Sequence, residues 1–113
     1  MRRVLQRFVY YKLPRESLSA RCAAVRAAQR GWSSRHPGLA AELLWRVDEG
    51  PAGGPDPVTV MEVWRWAPPC TDAKGGTEGR EPDWPALERE LGALLAGAAL
   101  GGRHVEVFAP VPG

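Results

Sequence analysis

The chain has 113 residues, with 15 Lys and Arg against 13 Asp and Glu, so its formal net charge is only +2. Hydrophobic residues at 44% and charged residues at 25% exclude a disordered chain, and the length leaves room for a single domain spanning 1–113. No apolar run approaches the ~20 residues that cross a bilayer, and Arg7 and Lys12 interrupt the stretch a leader peptide would need, so a cytoplasmic protein is expected.

The small net charge conceals an asymmetry. Residues 1–46 carry a charge of +8 and the remainder −6. A basic half can mark a nucleic-acid surface, but mutual neutralisation of the two halves on folding is the simpler expectation.

Val4 to Leu13 is rich in β-forming residues and stops at Pro14, which predicts a strand. Over residues 16–35 the period changes. Leu18, Cys22, Val25, Gln29 and Trp32 recur at three- and four-residue steps, so an amphipathic helix is expected, closed by His36-Pro37-Gly38. Leu39 to Val47 reads as a second strand, with helix as a competitor because of its alanines, and 48–57 as a loop. Val58 to Trp66 is the clearest strand, and 67–82 a long connection bordering a cleft and expected to be mobile. Asp83 offers an N-cap to a second helix carrying Trp84, Leu87, Leu91, Leu94, Leu95 and Ala98 on one face, which Gly101-Gly102 should stop. Arg103 to Ala109 alternates as a final strand. The order βαββαβ predicts an α+β ferredoxin-like sandwich: four antiparallel strands with both helices on one face.

Period-two alternation then sorts the side chains. Met61, Val63, Val105 and Val107 are expected beneath the helices, with Leu43 and Trp45, and with Val9, Tyr11 and Leu13 from the first strand. The opposite face would receive Phe8, Tyr10, Lys12, Glu42, Leu44, Arg46, Glu62, Trp64, Trp66, His104, Glu106 and Phe108. Five aromatics on an open sheet exceed what a soluble monomer exposes, yet the charges are too many for a dry core. A second copy covering this face, with a polar cavity left inside, satisfies both constraints. The candidate ligand-binding residues of that cleft are Tyr10, Arg46, Glu62, Trp64, His104 and Glu106. His104 and Glu106, two apart on one strand, have the spacing of an imidazole oriented by a carboxylate, the arrangement of a general base, although interface salt bridges with Arg46 or Lys12 account for the same residues.

RFVYYKLP at the start, HPGL at 36–39, VMEVW at 60–64 and RHVEVFAP at the end resemble the uncharacterised proteobacterial domain-of-unknown-function family numbered 4936. That family is similar to the dimeric α+β barrel proteins, which include antibiotic-biosynthesis monooxygenases and haem-degrading enzymes. The resemblance implies the fold and a homodimer with sheets face to face, but no catalytic residue.

Small-molecule binding in the cleft is the leading functional reading, with a cofactor-independent monooxygenase as its alternative. No cofactor is expected: the three Gly-Gly pairs do not form a phosphate-binding turn, and two histidines and two scattered cysteines make neither a haem nor a zinc site. RNA binding by the sheet is disfavoured by Glu62 and by the missing basic-Gly-aromatic signature in the third strand, so no nucleic acid or membrane partner is expected. A protein-interaction module without a ligand is the remaining alternative.

Overall fold

The computed structural model describes residues 4–46, 56–69 and 80–112. Four strands, β1 (Leu5–Leu13), β2 (Leu39–Trp45), β3 (Val58–Trp66) and β4 (Leu100–Phe108), form one antiparallel sheet in the order β2-β3-β1-β4. Helices α1 (Leu18–Arg35) and α2 (Trp84–Leu94) are the two crossovers. This is the expected ferredoxin-like α+β arrangement. Most of the 48–57 loop and the centre of the 67–82 connection, Cys70 included, lie outside the described residues.

α1 buries Leu18, Val25, Gln29 and Trp32, the stripe its period demands, with Cys22 half-buried. It ends where His36 donates its backbone N–H to the Trp32 carbonyl. Gly38 then turns with φ +97°, and a Cβ there would meet the Ala67 carbonyl oxygen at 2.1 Å, so only glycine fits. Asp83 caps α2 as expected, its carboxylate accepting from the Ala86 N–H. α2 stops at Leu94, short of the expected end, and Gly97 at φ +79° carries the turn. Gly101 and Gly102 instead sit inside β4 with positive φ, where the β1–β4 register shifts between Tyr10 and Lys12. They accommodate a bulge rather than a helix stop.

The register corrects one expectation. Val9, Tyr11 and Leu13 face the helices as predicted, joined by Leu5, but β1 pairs these four with Val58, Val60, Glu62 and Trp66. The even-numbered residues of β3 therefore lie under the helices, and Met61 and Val63 lie on the open face. Trp64 and Trp66 are among the largest fully buried side chains, in one core with Val25, Leu87, Leu91 and Leu95. Every side of VTVMEVWRW is largely apolar, so hydrophobicity did not distinguish its faces. Alternation sends Glu62 outward once Met61 and Val63 are taken inward, whereas its actual partners lie far away in sequence.

Candidate functional site

The six residues expected to share a cleft are divided by the sheet. Tyr10, His104 and Glu106 remain on the open face, where Tyr10 stacks on His104 with ring centroids 5.2 Å apart. Arg46 follows β2, its N–H donated to the Thr59 carbonyl. Glu62 and Trp64 are on the opposite side, beneath α2, with no solvent exposure. The His104–Glu106 pair thus has no Glu62 beside it. The open face instead has an apolar centre of Phe8, Met61 and Val63, with Phe8 in edge contact with Phe108 at 5.5 Å. Arg65 and Glu42 form an exposed ion pair beside it.

Beneath α2 the chain assembles a charged network that the sequence reading did not anticipate. The Glu62 carboxylate accepts from the Tyr11 hydroxyl at 2.8 Å and from the Trp64 indole N–H at 3.0 Å. Arg103 donates to both of its oxygens, at 2.6 and 3.2 Å. The same guanidinium bonds both oxygens of Glu88 on α2, at 2.7 and 2.9 Å. Arg7 adds a further bond to Glu88 at 2.9 Å. Two arginines and two glutamates thus balance, and each carboxylate has several donors, the condition under which charge is tolerated in a core.

The electrostatics follow from this geometry. Burial and the neighbouring Glu62 charge push the Tyr11 hydroxyl well above the usual tyrosine range, so it remains a donor. Burial acts to raise the Glu88 carboxyl, but hydrogen bonds and charge from Arg103 and Arg7 outweigh it and hold the group below its ordinary value. Burial likewise opposes the charge on Arg103, which Glu88 and Glu62 more than restore. Tyr11 is thereby held neutral and Glu88 and Arg103 charged. The network can hold positive charge against a ligand oxygen but is poorly suited to accept a proton.

One donor in it is incomplete. The Arg7 side chain is only 11% exposed, and its Nε has no hydrogen-bond partner among the described residues. Its guanidinium lies 5.7 Å from the centre of the Trp84 ring, and both residues, with Leu5 and Val107, line a pocket of about 150 Å³ between the start of α2 and strands β1 and β4. Arg7, Tyr11, Glu88 and Arg103 are the residues that sequence reasoning missed. A signal existed: Arg7 interrupts the odd-numbered apolar face of β1, and Arg103 that of β4. Among the described residues no three His, Cys, Asp or Glu side chains converge as a metal site. No described helix is long and apolar enough to cross a membrane.

No protein-family model matches the chain, and no curated protein is similar to it at a significant level. Solved structures are similar in fold. A provisionally assigned antibiotic biosynthesis monooxygenase from Nitrosomonas europaea aligns with a TM-score of 0.65 at 14% identity, over 98% of this chain and 93% of that one. A protein of the same provisional description from Bordetella bronchiseptica gives 0.60 at 16% identity, over 97% and 99%. The ActVA-Orf6 monooxygenase of Streptomyces coelicolor, solved with Nanaomycin D, gives 0.54 at 12% identity, over 98% and 90%. At such identities the likeness shows a shared fold: this chain has the ferredoxin-like α+β fold of antibiotic-biosynthesis-monooxygenase-like structures.

Proposed function

We propose that this protein is a cytoplasmic homodimer that binds a small organic molecule in the pocket beside α2, with the open sheet face as the contact between copies. The observation carrying the binding reading is the Arg7 Nε, a nearly buried donor without an acceptor among the described residues, on the wall of an otherwise apolar pocket. Leaving such a donor unpaired costs about 1–3 kcal/mol, so an oxygen that completes it is favoured. A volume near 150 Å³ admits about one ring, which Trp84 and Arg7 would hold from one side. The four charges of the network already balance, which favours a neutral oxygen acceptor over a full anion. In this reading Tyr10, His104, Glu106 and Arg46 belong to the rim of the contact between copies, and Glu62 and Trp64 support the pocket from behind.

A second reading, oxidation of the bound molecule without a cofactor, is favoured by the monooxygenase descriptions of the structural neighbours. Both readings are tested on the same protein. Titration calorimetry with phenol and benzamide as probes should give saturable binding, lost in Arg7→Met and Trp84→Ala variants that keep the wild-type circular dichroism. Undiminished affinity in Arg7→Met would sink the binding site. Oxygen uptake with hydroquinone, above the protein-free rate and dependent on Arg7, would support oxidation; no uptake would remove that reading and leave binding standing.

A further inference from the structure

No described strand pairs with the outer edge of β2. The Arg46 N–H reaches the Thr59 carbonyl and the Ala67 N–H reaches the Gly38 carbonyl, so the even-numbered residues of β2 bond to β3. Antiparallel alternation turns the N–H and C=O groups of Ala41, Leu43 and Trp45 away from the sheet. Natural edges are usually blunted by lysine, proline or a bulge. β2 has none of these within LAAELLW, whereas the other edge, β4, has the Gly101-Gly102 bulge. Trp45 is 43% exposed on this edge.

α1 overhangs the same edge. A groove of about 570 Å³ runs between them, walled by Arg26, Gln29, Arg30 and Ser33 on the helix side and by β2 on the other. It adjoins a second hollow of about 410 Å³ that shares Arg26 and reaches Trp45. Arg26 and Arg30 form no ion pair with any described residue, although the acidic half of the chain neutralises other arginines such as Arg7.

We propose that the β2 edge accepts an extended acidic peptide segment of another protein as an added strand, its carboxylates meeting Arg26 and Arg30. The spacing supports this chemistry. Four residues of helix separate the two arginines by about 6 Å along the axis, and alternate residues of a strand are about 6.6 Å apart. Carboxylates at every second position would therefore face both guanidiniums while the backbone completes the free edge. A second copy of this chain fits less well. Pairing β2 with β2 would bring both Arg26–Arg30 pairs together, and β4 offers only Glu106 as an acidic residue.

The test uses the intact protein and a short fluorescein-labelled peptide alternating glutamate and valine, with lysine replacing glutamate as the control. Fluorescence anisotropy should saturate with the glutamate peptide and weaken by about tenfold or more with the control, and by a similar factor in Arg26→Gln/Arg30→Gln. Ala41→Pro removes one outward N–H and leaves the bonds to β3 intact, so it should lose the peptide at an unchanged melting temperature. Equal affinity for both peptides, or full affinity in Ala41→Pro, would overturn the proposal. So would concentration-dependent self-association that protects the Ala41, Leu43 and Trp45 amides from exchange and is lost in Ala41→Pro, because a second copy would then occupy the edge.

Discussion

Glu62 places a carboxylate in the interior. Its side chain is fully buried, and four hydrogen bonds from Tyr11, Trp64 and Arg103 replace the water it has lost. Glu62→Gln would leave Arg103 buried with less compensation, and removing one partner of such a pair costs about 3–5 kcal/mol. Replacing both, as Glu62→Met with Arg103→Met, should cost much less than the sum of the single changes, because no uncompensated charge remains. Urea unfolding of the four proteins measures this coupling; additive losses would show that the network contributes little as a unit. The acidic side chain was conspicuous in the sequence, but its face was not. Tyr11 is 51 positions away and Arg103 is 41 away, and no local period connects them.

At the scale of elements, α2 joins the network through Glu88, one turn beyond Trp84. Glu88 has a folded-state pKa below its unfolded one, so its contribution is fully present above the unfolded value, about 4.3, and is lost as pH falls through the lowered folded value. Stability should therefore decline as pH falls through and below about 4.3, and Glu88→Gln should flatten that limb. Urea midpoints across this range provide the measurement; an unchanged slope would show that Glu88 does not carry the linkage. The existence of α2 was legible in its cap and its leucine spacing, and that of α1 in its stripe. The end of α2 and the place of Gly101 and Gly102 were not. A Gly-Gly pair after an apolar helix fits a helix stop as well as a bulge, and only the pairing of β4 with β1 distinguishes them.

For the whole molecule, the open sheet face combines a buried Val63, half-buried Phe8, Tyr10 and Met61, and an exposed Phe108. Such a face fits a contact between copies better than water. Sedimentation at micromolar concentration should give twice the 12.3 kDa chain mass, reduced to a single chain by Met61→Asp, which points to this face. A wild-type monomer would end the homodimer proposal. Trp64→Glu does not test it, because Trp64 is in the core and the change should unfold the chain.

The sequence by itself determined the six-element course of the chain: which segments are strands, which are helices, their order, and hence the ferredoxin-like sandwich. These follow from backbone geometry, because a period of two or of 3.6 and the chemistry of Asp83, Pro37 and Gly38 are local properties. The tertiary structure alone decided the face of β3 and what that face carries. VTVMEVWRW offers apolar residues in both registers, so its orientation came from the summed packing of Trp64 and Trp66 under the helices and from the donors that distant Tyr11 and Arg103 bring to Glu62. A charge can be buried only where its partners converge, and that convergence exists only once the sheet has formed.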